Sequence, residues 1–110
     1  MKKTSVAFLI LLGCHGTAYS LDREQQRAQG LLKTLCGSCH AVGPTGRSPH
    51  PLAPPFHSLG ETKLYEEDFG QRLQDGLSTM HPDMPTFHFS ERDAQAVIDY
   101  LRAIQDKRRP

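Results

Sequence analysis

Two cysteines and a histidine stand together in the chain as Cys36-Gly37-Ser38-Cys39-His40. A Cys-x-x-Cys-His motif is the attachment site of a c-type haem. Two thiols add to the two vinyl groups on one edge of the porphyrin, and the two intervening residues keep both sulfurs on one side of a tight turn. The next side chain then points its imidazole at the iron. The motif predicts that Cys36 and Cys39 are the covalent haem thioethers and that His40 is the proximal axial ligand.

Two other chemistries also use a Cys-x-x-Cys pair. A thiol–disulfide pair requires a thioredoxin-like βαβ context, and no strand pattern precedes Cys36. A structural zinc site requires a second pair of ligands at short spacing. No cysteine follows Cys39, and the later histidines lie among prolines without such a spacing. The sequence therefore favours one covalent haem c over a zinc site or a disulfide.

A methionine is the expected ligand at the second axial position of the iron, because a thioether favours Fe(II) and so supports a positive potential. Met84 is the best candidate, since Pro85 stiffens the segment that carries it and the last helix follows soon after. Titration of His81, three residues upstream, would make the potential depend on pH if it lies near a haem propionate. The alternative distal ligands are Met80, His57, His81 and His88.

The first 20 residues have the pattern of a signal peptide. Lys2 and Lys3 precede a short apolar run at residues 6–12, and a small-x-small sequence ends at Ser20. This pattern predicts export and cleavage after Ser20. The apolar run is too short to span a bilayer stably. We therefore expect a periplasmic location and one mature domain over residues 21–110.

Cys14 allows a second interpretation of the N-terminus. The sequence Leu11-Leu12-Gly13-Cys14 resembles a lipobox, in which the signal ends before Cys14 and that cysteine is lipidated. Acyl chains on Cys14 would tether the domain to a membrane on its periplasmic side. If cleavage follows Ser20 instead, Cys14 is removed with the signal.

The composition indicates one small domain that needs a cofactor. The chain has 110 residues, no tryptophan, and 13 basic against 12 acidic side chains. A domain of about 90 residues benefits from a staple or a cofactor to complete its core, and a covalent haem would serve. The balanced charge argues against nucleic acid as a partner. The basic tail at residues 107–109 is interpreted as a solvated chain end.

Hydrophobic periodicity predicts three helices and no strands of consequence. The helices are expected at residues 21–35, 64–77 and 90–104, with Gly76 ending the second. Ser90 and Asp93 form a capping-box-like start to the third helix. A Pro- and Gly-rich loop at residues 42–59 suits one wall of a haem crevice. The expected buried stripe of the third helix is Ala94, Val97, Ile98, Leu101 and Ile104.

In this order the motifs resemble a class I, mitochondrial-type cytochrome c domain of the bacterial periplasmic kind. The resemblance covers residues 22–105 and rests on the Cys-x-x-Cys-His motif, the proline-rich loop, Met84-Pro85 and the closing helix. It implies an all-α cytochrome c fold with three main helices around one haem and with the terminal helices crossing near a small residue. Gly30 and Tyr100 are candidates for that crossing. It also implies that a proline carbonyl, from Pro44 or Pro54, accepts a hydrogen bond from His40 Nδ1–H.

The resemblance implies a mono-haem electron carrier rather than an enzyme. Such a protein passes single electrons between periplasmic or membrane redox partners through small, transient interfaces. One alternative is an electron-transfer subunit of a larger dehydrogenase or oxidase. The other is a haem sensor or enzyme with an open sixth site. A dihaem peroxidase is disfavoured because the chain has a single Cys-x-x-Cys-His motif.

Overall fold

A computed structural model describes residue 10, residue 13 and residues 20–77 and 81–106. Over these residues the chain forms helices α1 (Arg23–Cys36), α2 (Glu61–Leu64), α3 (Phe69–Asp75) and α4 (Glu91–Ile104), with a 3₁₀ turn at Phe56–Ser58 and no strand. The predicted all-α class is confirmed. Most of the expected signal segment, including Cys14, lies outside the described residues, as do Met80 and the tail at 107–109. No helix within the described parts is long and apolar enough to cross a membrane.

Helix α1 begins at a capping box that the sequence analysis did not identify. The Asp22 carboxylate accepts a hydrogen bond from the Gln25 backbone N–H at 2.8 Å, and the Gln25 side chain accepts one from the Asp22 N–H at 3.0 Å. These two bonds satisfy backbone donors that the first turn of a helix leaves without partners. Ala28 and Leu32 form the buried face of α1. The helix therefore starts two residues later than predicted and continues to Cys36.

Helix α4 confirms the predicted cap and the predicted buried stripe. The Ser90 hydroxyl accepts a hydrogen bond from the Asp93 N–H at 3.1 Å. All five residues of the expected stripe are buried, and Ala96 and Tyr100 are buried as well. The buried surface of α4 is therefore wider than one stripe, because α1 and α3 both pack against this helix.

The crossing of α1 and α4 does not use Gly30. Gly30 is exposed, and a Cβ atom built on it would meet nothing within 4 Å. Two residues correspond to a rotation of about 200° around a helix, so Gly30 lies opposite the fully buried Ala28. Ala28 is the small residue on the buried face, and the prediction for Gly30 was wrong. Tyr100, the other candidate, is fully buried on α4, and its hydroxyl donates a hydrogen bond to the Val42 carbonyl at 2.6 Å.

The predicted helix at residues 64–77 is helical only at Leu64, the last residue of α2, and over α3, and a turn separates the two. Helix α2 ends at Leu64 and helix α3 begins at Phe69. Leu64 and Phe69 are both buried, yet five residues of a continuous helix would place them about 140° apart. The turn lets both side chains reach the core and leaves Tyr65 59% exposed beneath the Arg102 guanidinium. Gly76 ends α3 with a φ of +101°, as predicted.

Candidate functional site

The Cys-x-x-Cys-His motif forms a tight turn that continues from the end of α1. The Cys36 carbonyl accepts hydrogen bonds from the backbone N–H groups of Cys39 at 3.2 Å and of His40 at 2.9 Å. Both cysteines are free and partly buried. Burial, with a smaller contribution from Cys39, raises the pKa of the Cys36 thiol to about 11. Oxidoreductase motifs instead lower the pKa of their reactive cysteine, so this environment does not suit thiol–disulfide exchange.

The ring of His40 is held by two contacts from the loop that follows the motif. Its Nδ1 lies 2.7 Å from the Pro54 carbonyl oxygen. A carbonyl oxygen can only accept a hydrogen bond, so Nδ1 carries the proton and Nε2 keeps a lone pair for a metal. The Phe56 ring packs against the imidazole with the ring centroids 4.7 Å apart. Of the two prolines that the sequence left open, Pro54 makes the contact.

Backbone hydrogen bonds fix this loop to the motif and to the end of α4. The His50 N–H donates to the Cys39 carbonyl at 3.1 Å, and the Phe56 N–H donates to the Ala41 carbonyl at 2.9 Å. The Gln105 side chain donates to the Phe56 carbonyl at 2.7 Å. We call residues 41–59 the proximal loop. Its hydrogen bonds reach both the motif and the end of α4. These bonds together fix the position of Pro54 relative to His40.

A cavity of about 570 Å³ opens beside the motif. This volume lies within the range of about 300–1,000 Å³ that small-molecule and cofactor pockets occupy. Cys36, Cys39 and His40 line the cavity, and so does Met84. The apolar wall is formed by residues from α1, α3 and α4, namely Leu32, Leu35, Phe69, Leu73, Val97 and Leu101. Protein interiors are closely packed and rarely contain an empty space of this size. The cavity therefore fits a large apolar group beside two thiols and an imidazole.

Met84 lies on a segment that is attached to the end of α3. We call residues 81–89 the distal strap. The Phe89 N–H donates to the Leu73 carbonyl at 2.9 Å, and His88 Nδ1 lies 3.2 Å from the Gln74 carbonyl oxygen. A Cβ atom on Gly76 would lie 2.8 Å from the Thr86 side chain, so the strap approaches α3 closely at that point. These contacts direct a partly buried Met84 towards the cavity.

The structure separates the histidines that the sequence kept as alternative distal ligands. His57 and His88 do not line the cavity, whereas His81 does. His57 Nδ1 lies 2.9 Å from an Asp106 carboxylate oxygen, and its Nε2 lies 2.9 Å from the Gly46 carbonyl oxygen. The bond to Gly46 and, second, the bond to Asp106 raise the pKa of His57. Both partners are acceptors, so both nitrogens donate when the ring is protonated, and the ring lies away from the cavity.

His50 is a cavity residue that the sequence analysis did not single out. Its side chain lines the same space as His81 and Asp83, although 31 positions separate the two histidines. No local pattern could have found this pairing, because it depends on how the proximal loop and the distal strap approach each other.

Comparison with protein families gives one match over most of the chain. The model of the family described as cytochrome c oxidase, cbb3-type, subunit III matches residues 23–101, which run from the start of α1 into α4. The matched range includes the motif, the proximal loop and the distal strap. Comparison with curated proteins and with solved structures gave no match. The chain belongs to the cbb3-type cytochrome c oxidase subunit III family and is a class I c-type cytochrome domain with covalently bound haem c and a role in electron transfer.

Proposed function

We propose that this protein is a mono-haem electron carrier of the periplasm in which Cys36 and Cys39 hold the haem and His40 and Met84 are its axial ligands. Haem c supplies a one-electron Fe(III)/Fe(II) couple when it is bound. The observation that carries the proposal is one apolar cavity lined by both cysteines, His40 and Met84. The protein's own task is to hold these four side chains in place and to keep water from them.

The bond between His40 and Pro54 supports the proximal assignment. Metal-binding histidines typically donate their second ring N–H to a carbonyl or a carboxylate, which fixes the tautomer and raises the basicity of the ligand. The 2.7 Å contact from His40 Nδ1 to the Pro54 carbonyl has this form. The packing of Phe56 limits rotation of the same ring. His40 therefore needs little rearrangement between the two oxidation states, which favours rapid electron transfer.

Two observations support Met84 as the distal ligand. It lines the cavity, and its backbone N–H donates to the His81 carbonyl at 3.3 Å in a turn just before the rigid Pro85. His57 and His88 do not line the cavity, and both ring nitrogens of His57 have other partners. With His40 and Met84 both bound, no coordination position remains for an external ligand. That arrangement favours electron transfer over sensing or catalysis, and we propose that the domain itself is not an enzyme.

The surface near the cavity suits brief contact with a redox partner. Leu52 lines the cavity and is 72% exposed. An exposed apolar side chain beside the cofactor can be covered by a partner without the cost of desolvating charges. Electron-transfer interfaces are small, below about 1,200 Å² of total buried surface, which permits rapid dissociation.

The family match favours one version of this function, an electron-transfer subunit of a larger oxidase, over a free shuttle. Gentle detergent extraction followed by size separation would distinguish the two. A subunit comigrates with other haem proteins, whereas a shuttle elutes alone.

The mass of the mature N-terminus decides between cleavage after Ser20 and lipidation at Cys14. Either outcome keeps the domain on the periplasmic side of the membrane, in keeping with the extracytoplasmic location typical of cytochrome c domains.

A redox titration tests the proposed function. We expect one haem per chain, retained under denaturing conditions, and a reversible curve that fits one electron. Ferric low-spin electron paramagnetic resonance signals are expected because both axial ligands are strong. A high-spin ferric signal in the wild-type protein would contradict the assignment of Met84 and favour a sensor or an enzyme.

A further inference from the structure

Three side chains with metal-binding atoms meet at the edge of the cavity. His50, His81 and Asp83 each offer one ligand atom, and these atoms lie within 4.8 Å of one another. The two imidazole rings approach edge to face, with their centroids 5.6 Å apart. His50 belongs to the proximal loop, whereas the other two residues belong to the distal strap. None of the three is a haem ligand in the proposed function.

We propose that His50, His81 and Asp83 form a binding site for a divalent transition metal of the zinc type. Two imidazoles and one carboxylate are a common ligand set for Zn²⁺, which then keeps a fourth position for water. Ligand bonds of about 2.0–2.1 Å in a tetrahedron require ligand atoms about 3.3 Å apart. The present atoms lie within 4.8 Å of one another, so side-chain rotation has at most about 1.5 Å to close for each pair. Asp83 is exposed and the two histidines are only partly buried, so there is space beside all three side chains for these rotations.

The backbone of each histidine takes part in a hydrogen bond, one in the proximal loop and one in the distal strap. The His50 N–H is bonded to the Cys39 carbonyl, and the His81 carbonyl accepts from the Met84 N–H. The Leu52 N–H donates to His50 Nδ1 at 3.1 Å. A metal on Nε2 would move the ring proton to Nδ1, and the Leu52 amide, in an exposed turn, would then bind water. The bound metal would cross-link the haem-attachment turn to the strap that carries Met84.

Such a metal would be coupled to the haem by charge. The ferric haem carries one more positive charge than the ferrous haem, so a nearby cation binds more tightly to the ferrous protein. By linkage, the metal raises the midpoint potential by the same free energy. A tenfold difference between the two dissociation constants corresponds to about 59 mV for one electron. This coupling rests on the proposed function, whereas binding of the metal does not.

Calorimetric titration of the untagged holoprotein with zinc chloride tests the site. Zinc is the probe because it is redox-inert and cannot exchange electrons with the haem. We expect one saturable equivalent, and at least tenfold weaker binding in His50→Asn, in His81→Asn and in Asp83→Asn. His88→Asn is the matched control. It removes an imidazole from the same strap, yet its amide can still donate to Gln74, and zinc binding should be unchanged.

The outcomes separate this proposal from the proposed function. Absence of a saturable equivalent, or equal weakening in the His88→Asn control, overturns the metal site. Visible spectra of every variant, recorded before titration, report separately whether the haem ligands are intact. Saturable zinc binding lost only in the three cluster variants supports the site whatever the spectra show. A midpoint potential that zinc leaves unchanged would contradict the coupling alone.

Discussion

The proximal loop and the distal strap come from separate parts of the sequence, line the same cavity and are attached to the rest of the protein by different contacts. The proximal loop is bonded to the motif, to the end of α4 and, through Val42, to the buried hydroxyl of Tyr100. The distal strap is bonded to α3 at its C-terminal end, where Phe89 and His88 contact the helix beside Gly76. Because several elements anchor the loop beside it, we expect His40 to be the less replaceable of the two proposed ligands. We expect small changes on the strap, which carries Met84, to alter ligation before they alter folding.

Replacing Met84 should give the largest change on the distal side. In Met84→Ala we expect the haem to remain attached through Cys36 and Cys39 while the sixth position opens. The reduced spectrum should then shift with CO, and the midpoint potential should fall by an amount on the order of 100 mV, because the thioether favours Fe(II). Met80→Ala is the matched control, and it should keep the wild-type spectrum. A CO response in Met80→Ala but not in Met84→Ala would reverse the assignment.

Gly76→Ala should loosen the strap where it meets α3. The residue has a φ of +101°, and its new Cβ would lie 2.8 Å from the Thr86 side chain. We expect a loss of about 1–3 kcal/mol in the free energy of unfolding, measured by denaturant titration, together with partial CO binding. Gly30→Ala, at an exposed helical position, should instead stabilise the protein by about 0.5–1 kcal/mol. If both variants change the free energy of unfolding and CO binding in the same way, the close contact at Gly76 does not fix the strap.

Tyr100→Phe should affect the proximal side without opening the sixth position. It removes the hydroxyl that donates to the Val42 carbonyl at 2.6 Å and leaves that acceptor buried without a partner. The expected loss is about 1–2 kcal/mol in the free energy of unfolding, with an unchanged response to CO. Tyr65→Phe provides the control, because Tyr65 is 59% exposed and its replacement should have little effect. A response to CO in Tyr100→Phe would show that loosening the proximal loop also changes ligation at the sixth position of the iron.

The smallest expected effect is a pH dependence on the proximal side. The protein raises the pKa of His57 above its ordinary value of 6.5 through Gly46 and Asp106. The stabilisation is therefore complete below about pH 6.5 and is lost as the pH rises through the folded-state pKa. We expect the melting temperature of the wild type to fall by a few degrees over that range. His57→Asn should show a weaker dependence on pH. An equal dependence in both proteins would assign the effect to another group.

Local patterns were sufficient for much of this structure. The tight turn at residues 36–40, the cap at Ser90 and the stripe of α4 each depend on residues close in sequence, and each was predicted in the form observed. Hydrogen bonds within one turn and the periodicity of one helix act over a few residues. For that reason they can be recognised in the sequence alone.

The features that sequence reasoning missed depend on contacts between distant segments. Periodicity predicted one helix over residues 64–77, but burial of both Leu64 and Phe69 against α4 places a turn between them. The use of Pro54 rather than Pro44, and of Ala28 rather than Gly30, depends on how whole elements pack. Such choices are made by tertiary packing, which a local pattern does not encode.

Adding CO to the wild-type ferrous protein shows whether the sixth position of the iron is filled. We expect a sharp reduced c-type spectrum that CO does not change, because we propose that His40 and Met84 occupy both axial positions. A rapid and complete spectral shift on addition of CO would show that the sixth position is open. That result would contradict the electron-carrier assignment and favour a haem sensor or enzyme.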